Sequence, residues 1–141
     1  MVQKKSARKI SPLWSGRFSN SPSETMKNIN SSIAFDKELY LEDIEASKVH
    51  TNMLVFQNIL TSSEGKKIVE GLDKIKGEIE EGKMVFLEEL EDIHTHVEDR
   101  LIKIIGSKAK KMHTARSRND QVATDTRMWV RRSIDEINEL I

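Results

Sequence analysis

The fold is decided by residues 61–82, which read TSSEGKKIVEGLDKIKGEIEEG. Thr61 and Glu64 form a capping-box pattern, in which a hydroxyl and a carboxylate satisfy the free amide groups of a helix's first turn. Gly82 stands where a residue in the left-handed region is expected to end the helix. Between these ends the apolar residues recur at helical spacing, and they predict one buried stripe made of Ile68, Leu72, Ile75 and Ile79.

Further helices are expected on both sides of this one, which we call helix B. Helix A is predicted over 36–60, with Asp36 as its N-cap. Helix C is predicted over 88–105, and Gly106 ends it. Helices A and B are expected to form an antiparallel hairpin because the turn between them is short. The predicted fold class is therefore all-α, with an N-terminal helical-hairpin domain.

The middle of helix A is polar at positions where apolar residues are expected. Ser47, Lys48, His50 and Thr51 interrupt a stripe that is apolar at both ends. Two interpretations remain open. The hydroxyl groups bond back to carbonyl groups of the same helix, or this face borders a solvent-filled cleft.

Composition excludes several classes of protein. Charged residues make up 33% of the 141 residues and aromatic residues only 5%, with few glycines and prolines, which favours helices over strands. The formal net charge is zero, so overall charge gives no support to nucleic-acid or membrane binding. The absence of cysteine excludes disulfides and thiolate chemistry.

Residues 113–125, which read HTARSRNDQVATD, have the strongest character of a binding site. Positions 116–121 are six consecutive polar residues. Two guanidinium groups beside hydroxyl and amide groups make a dense set of hydrogen-bond donors. Such a set is suited to carboxylates or phosphates.

Helix D is predicted to begin near Asn119, capped by Asn119 or Asp120, and to continue through position 141. Arg116 and Arg118 then lie beside a helix N-terminus, where free amides and the helix dipole already attract anions. Two cations at that end are unfavourable unless an anion or an acidic neighbour compensates them. This mismatch favours an anionic ligand.

Residues His94 and Glu98 are four apart in helix C and share one face. They are either an exposed ion pair of little energetic weight, or His94 lies at the rim of a cleft with its protonation tuned by Asp92 or Glu98. No metal site is expected, because His94 and His96 point to different faces and no spacing matches zinc or calcium ligands.

The N-terminal segment is polar and basic over residues 1–12, which are predicted to be a disordered tail. Trp14 and Phe18 are expected to anchor an N-terminal arm, or Arg17 between them reaches a site. Ser21 is predicted to cap a short helix that ends near position 28. The start lacks the apolar region of a secretory signal and no run is long enough to span a membrane, so a cytoplasmic protein is expected.

Four segments carry a resemblance to known proteins, and they occur in one order over residues 13–141. They are LWSGRF at 13–18, NSSIAFD at 30–36, EDIHTHVEDRL at 91–101 and HTARSRNDQVATD at 113–125. Together they resemble the N-terminal part of the argininosuccinate lyase family, within the fumarase/aspartase superfamily that includes the lens delta-crystallins.

The resemblance implies a lyase of arginine biosynthesis that splits argininosuccinate into arginine and fumarate by β-elimination, without metal or organic cofactor. It also implies a homotetramer whose active sites are shared between subunits. In this layout residues 13–118 form an N-terminal helical domain, and 119–141 begin the first long helix of a lyase helix bundle. His94 becomes a candidate assisting residue, and the implied substrate-binding residues are Ser32, Asp36, Thr114, Arg116, Ser117, Arg118 and Asn119.

The chain departs from the family pattern in two ways. Ala115 and Ser15 stand where the family usually has glycine. If position 115 needs a positive φ, alanine there costs about 1 kcal/mol or more, and a local backbone adjustment is expected. The family's catalytic histidine segment and mobile serine loop lie beyond position 141. The 141 residues are therefore expected to be an N-terminal fragment that is inactive in isolation.

Other functions compete with this one. A crystallin-like structural homologue without activity would keep the same residues, and a sibling lyase would act on adenylosuccinate or aspartate. A nucleic-acid-binding module is disfavoured because the basic loop lacks interleaved aromatic residues.

Overall fold

The structure is a computed structural model that describes residues 24–141. Within that range the chain is helical and contains no strand, which confirms the all-α prediction. The predictions for the tail 1–12, the aromatic anchors and the Ser21 cap lie outside the described residues. The six α-helices are α1 (Glu24–Asn30), α2 (Ile33–Asp36), α3 (Tyr40–Phe56), α4 (Ser62–Glu80), α5 (Ile93–Ile105) and α6 (Arg118–Leu140).

Helix α4 has both ends that the sequence predicts for helix B. The Thr61 hydroxyl accepts a hydrogen bond from the Glu64 amide at 3.2 Å, and the Glu64 carboxylate accepts one from the Thr61 amide at 3.2 Å. Gly82, just beyond the last turn, has a φ of 66°. Since these signals are local in sequence, they specify the helix without help from the rest of the fold.

Helix α3 is shorter than the predicted helix A at both ends. Asp36 does not cap it: the 3-10 helix Lys37–Leu39 intervenes, and the Asp36 side chain forms no capping hydrogen bond there. At the other end α3 stops at Phe56, and Asn58 turns the chain with a φ of 58°. Leu60 is buried in the short turn between α3 and α4. These two helices form the hairpin that the sequence predicts for helices A and B.

Helix α5 begins five residues later than the predicted start of helix C. Residues Glu88–Leu90 form a 3-10 helix, and Glu91 has a φ of 60° and a ψ of −60°. Asp92 is the true N-cap, because its carboxylate accepts a hydrogen bond from the Thr95 amide at 2.6 Å. The acidic run therefore precedes the helix. Gly106 ends α5 with a φ of 77°, as predicted.

The core lies between α3, α4 and α5, and it contains the stripes that the sequence predicts. Ile79 is the only member of the α4 stripe that is not fully buried among the described residues. Eight core side chains of the described residues have no exposed surface, and they are Ile44, Leu54, Ile68, Leu72, Ile75, Ile93, Val97 and Leu101.

Close packing of α4 on α5 depends on Gly71, because an added Cβ atom would lie 2.5 Å from Leu101 Cδ1. We expect Gly71→Ala to lower the free energy of unfolding by about 1–3 kcal/mol, since the core must shift to admit the methyl group. Gly77→Ala is the matched control in the same helix, where no atom lies within 4 Å of the added Cβ. It should raise stability by about 0.5–1 kcal/mol. Denaturant unfolding of both variants measures this difference, and equal responses would contradict the packing argument.

Helix α6 crosses α3 with a polar face turned inward. Gln121 and Asp125 are buried, and Arg132 forms an ion pair with Glu42 of α3 at 2.9 Å. The apolar stripe of α6 faces outward. Its side chains keep much of their surface exposed, with fractions of 42% for Val122, 40% for Trp129 and 56% for Ile137. None of the helices in residues 24–141 has the length and apolar character that crossing a membrane requires.

Candidate functional site

Residues 113–118 form the loop that enters α6, as the sequence predicts. Ser117 is the N-cap, and its hydroxyl accepts a hydrogen bond from the Asn119 amide at 3.1 Å. The Asp120 carboxylate accepts one from the Ser117 amide at 2.8 Å. The prediction that Asn119 or Asp120 caps the helix is therefore wrong, because the Ser117 hydroxyl comes first in the chain and Asp120 completes a capping box with it.

Thr114, Ser117 and Asn119 are the predicted binding residues that are exposed. The Asn119 side-chain amide makes no hydrogen bond with any residue of the range 24–141, so its donor and acceptor are available to a ligand. The Thr114 carbonyl accepts a hydrogen bond from His50 Nε2 at 2.8 Å, which fixes the start of the loop to α3.

The Arg118 guanidinium is half-buried and faces acidic groups. Its Nη1 atom donates to Glu98 Oε1 at 3.1 Å and to Gln121 Oε1 at 2.7 Å. Its Nε atom lies 3.7 Å from Asp92 Oδ2. Arg118 thus joins the start of α6 to α5, and its charge is compensated within the chain.

The charge of Arg116 is compensated less completely than that of Arg118, and its buried Nε atom has no hydrogen-bond partner among the described residues. Its Nη2 atom donates to Ser47 Oγ at 3.0 Å. Burial lowers the pKa of Arg116, although the charges of Asp43 and Glu98 act in the opposite direction. Acidic neighbours therefore meet the charge of Arg118 fully and that of Arg116 only in part. The available side-chain amide of Asn119, at the N-terminus of α6, still favours an anionic ligand there.

Of the two interpretations of the polar centre of helix A, back-bonding within the helix holds for Thr51. Thr51 Oγ1 donates back to the Ser47 carbonyl at 2.8 Å within α3. The Ser47 hydroxyl and the His50 ring instead contact the loop 113–118, through Arg116 and Thr114. The polar face of α3 is the surface on which this loop is held.

His94 is buried, with 2% of its side chain exposed, so it is neither in an exposed ion pair nor at the rim of a cleft. Of the two acids expected to tune it, Asp92 does raise its pKa. Its Nδ1 atom lies 3.0 Å from Asp43 Oδ1 and 3.5 Å from Asp125 Oδ2. Glu98, the expected partner, pairs with Arg118 and His113 instead. Burial lowers the pKa of His94, but the hydrogen bond and charge of Asp43 outweigh it, so the pKa lies above its ordinary value.

Asp125 is fully buried and lies in a chemically unusual position. Neither of its carboxylate oxygens has a hydrogen-bond partner among the described residues, and the same is true of Asp43 Oδ2. Burial and the nearby charge of Asp43 raise the pKa of Asp125 to about 7, against the opposing effects of His94 and Arg116. When Asp125 is protonated it can donate to Asp43, so the two carboxylates can share one proton.

We call Asp43, His94 and Asp125 the buried charge cluster. The cluster could not be predicted from the sequence because its members lie on three different helices, although Gln121 and Asp125, four apart, mark a polar face on α6. The three ligand atoms lie within 4.8 Å of one another, a spacing that a metal ion could use. The charges of His94 and Arg116 already act on Asp125, so a dication would meet positive charge there. Electrostatics therefore favour a hydrogen-bonded cluster over a metal centre.

Ser32 and Asp36 lie together at α2, next to the start of α5. The Ser32 hydroxyl donates to Asp36 Oδ2 at 2.5 Å, and Asp36 Oδ1 accepts a hydrogen bond from the Ile93 amide at 3.1 Å. Burial raises the pKa of Asp36, although the hydrogen bond from Ser32 opposes it. The main role of Asp36 in the structure is to hold the first residue of α5. Roles of Ser32 and Asp36 in substrate binding remain predictions.

Ala115 has a φ of 61°, so the chain keeps the left-handed backbone that glycine would adopt freely. The expected local backbone adjustment is not seen. We expect Ala115→Gly to raise the free energy of unfolding by about 1 kcal/mol, because the strain of a Cβ at positive φ is removed. Chemical denaturation of the 141-residue chain measures this. Unchanged or lower stability would show that position 115 is not strained in solution.

Comparison of the sequence with known protein families identifies the family of this chain. Residues 16–141 match the model of a protein family described as Lyase. The chain belongs to this lyase family. The resemblance drawn from the four sequence segments is thereby confirmed, since the match includes nearly all of their residues.

Individual members of the lyase family are similar over most of the chain. An argininosuccinate lyase from Ehrlichia chaffeensis is 53% identical over 130 residues, covering 92% of this chain and 28% of that protein. One from Clostridium kluyveri is 54% identical over 129 residues, covering 92% of this chain and 30% of that protein. The chain thus spans less than a third of the length of these relatives.

Proposed function

We propose that this chain is the N-terminal part of an argininosuccinate lyase, which splits argininosuccinate into arginine and fumarate in arginine biosynthesis. One observation carries the proposal: the side-chain amide of Asn119 is available at the start of α6, beside Ser117 and Arg118. Similarity to proteins named argininosuccinate lyase supports the choice of substrate.

The proposed reaction is a β-elimination. A base removes a proton from the carbon next to one succinyl carboxylate, the neighbouring carbon–nitrogen bond breaks, and the nitrogen leaves with a proton as arginine. Negative charge develops on that carboxylate before the bond breaks. Hydrogen-bond donors already aimed at it lower the barrier, because they need no reorganisation at that moment.

In this mechanism the chain supplies binding and orientation. The Asn119 side-chain amide holds one carboxylate at the start of α6, with the Ser117 cap keeping the first turn of that helix in place. Arg118 supports the same carboxylate with its charge, and Thr114, Arg116, Ser32 and Asp36 complete the wall of the site. His94 assists from α5. The general base and general acid belong, in this proposal, to segments of the family that this chain does not contain.

The proposal includes the family's quaternary arrangement, a homotetramer with active sites shared between subunits. The outward stripe of Val122, Trp129 and Ile137 supports it, since three large apolar side chains on one helix face are costly to leave in water. A cytoplasmic location is part of the same proposal, and a sequence without cysteine suits a reducing compartment.

The test is an assay of a full-length lyase that carries this chain. Fumarate release is measured with argininosuccinate, adenylosuccinate and aspartate at equal concentrations. We expect turnover of argininosuccinate alone. Preference for adenylosuccinate or aspartate would assign the chain to a sibling lyase. Turnover of none of the three by folded protein would indicate a crystallin-like structural homologue.

A further inference from the structure

Asp43 accepts hydrogen bonds from two other helices through a single oxygen atom. It lies in α3 with 1% of its surface exposed. Its Oδ1 atom lies 3.0 Å from His94 Nδ1 of α5 and 3.1 Å from Gln121 Nε2 of α6. One buried carboxylate thus joins the three helices that surround the loop 113–118.

This carboxylate fixes the orientation of the Gln121 side chain. An ionised carboxylate only accepts hydrogen bonds, so Gln121 must turn its NH₂ group toward Asp43. The Gln121 carbonyl oxygen then points the other way, where it accepts a hydrogen bond from Arg118 Nη1 at 2.7 Å. Asp43 therefore acts on Arg118 through Gln121, although the two charged groups do not touch.

The same oxygen fixes the state of the His94 ring. Because Asp43 accepts, Nδ1 of His94 must carry a proton, and the ring cannot rotate without losing that bond. A buried polar network is destabilising if any of its groups lacks a hydrogen-bond partner, so each member constrains the others. Replacing the carboxylate would release His94 and Gln121 together.

We infer that Asp43 is a positioning residue of the lyase reaction, which sets the directions of Arg118 through Gln121 and of His94 directly. This inference rests on the proposed function, since it gives Arg118 and His94 their roles at the substrate. Asp43 touches no substrate. It acts by holding two side chains on different helices in one geometry.

The test separates the two arms of the network by kinetics in the full-length lyase. Gln121→Ala removes only the arm to Arg118, and we expect the KM for argininosuccinate to rise between about 10- and 100-fold while kcat changes little. Asp43→Asn disturbs both arms and should raise KM and lower kcat. Asp73→Asn is the control, because its carboxylate pairs with Lys48 on the surface. Its kinetics should match those of the wild type.

A purely structural role is distinguished by a double-mutant cycle. If Gln121 acts through Arg118, then Gln121→Ala should have no further effect on KM in an Arg118→Ala background. Additive effects of the two substitutions would overturn the inference. So would an unchanged KM in Gln121→Ala.

NMR tests the role of Asp43 without any substrate. In the 141-residue chain, NMR should detect side-chain N–H signals of Arg118 and His94 that are protected from exchange. Gln121→Ala should lower the protection of Arg118, whose Nη1 atom keeps only the bond to Glu98, and leave that of His94. If the enzyme acts on a sibling substrate, the proposed function fails, while the cycle and these signals still decide the role of Asp43. Protection of Arg118 that is unchanged in Gln121→Ala contradicts it.

Discussion

Asn119→Ala in the full-length lyase should lower turnover of argininosuccinate by about 10-fold or more, because the substrate loses one preorganised hydrogen-bond donor. The substitution is expected to leave folding intact. The Asn119 side chain is exposed and has no partner within residues 24–141, and its backbone amide keeps the bond to Ser117. Alanine is also favourable within the first turn of a helix.

The measurement is kcat/KM from fumarate release, together with the midpoint of thermal unfolding. Asn52→Ala is a matched control, since Asn52 is an exposed asparagine on α3. We expect the control to keep both values. Wild-type kinetics in Asn119→Ala would remove the start of α6 from the mechanism. A lower unfolding midpoint with unchanged kcat/KM would assign Asn119 a structural role instead.

Asp125→Asn should stabilise the chain above neutral pH and have a much smaller effect in mild acid. The folded-state pKa of Asp125 is raised from 3.8 to about 7, so the folded chain holds this proton more tightly than the unfolded chain. The resulting stability is fully present below about pH 4 and is lost as the pH rises through about 7. His94 acts in the same direction. Its folded pKa is raised above 6.5, so its contribution is complete below that value and is lost at higher pH.

For each pH unit between the unfolded-state and folded-state pKa values of Asp125, the free energy of unfolding falls by about 1.4 kcal/mol. The pKa of about 7 already includes the attraction of His94 and Arg116. An asparagine amide replaces a protonated carboxyl group imperfectly in a close-packed site, so we expect a gain on the order of 2 kcal/mol from Asp125→Asn at about pH 8.5. The asparagine amide can also donate to the unpartnered Oδ2 atom of Asp43.

Denaturant unfolding of wild type and variant at about pH 5 and about pH 8.5 tests this difference. Asp73→Asn controls for a general change of charge, because Asp73 lies on the surface. Destabilisation by Asp125→Asn at both pH values would mean that the carboxylate is ionised in the folded chain and that its attraction to His94 outweighs the cost of burial.

Features with local causes could be predicted from the sequence. The capping box at Thr61 and the glycines at positions 82 and 106 lie where the sequence places them. The loop before α6 is also placed correctly, because its polar residues precede a clear amphipathic helix. In each case the groups that interact are within one turn of each other along the chain.

Features with distant causes could not be predicted. The acidic residues before α5 suit the first turn of a helix, yet Glu91 leaves helical geometry, and its carbonyl accepts the amides of Ser32 and Ile33 at 2.9 Å each. Asp36 suits an N-cap but binds the Ile93 amide, 57 residues away. Tertiary hydrogen bonds override local preference at both places. Likewise, only the packing of three helices brings the buried charge cluster together.

The bonds between α2 and α5 also determine how these segments move. Glu91 binds the first amides of α2, and Asp36 at the end of α2 binds the first amide of α5. Each helix start therefore depends on the other, and neither can open without breaking the bonds of both. The two starts form a single cooperative unit of local unfolding. Any binding event that orders Ser32 is transmitted through these bonds to the turn of α5 that carries His94, and would slow amide exchange in both helices together.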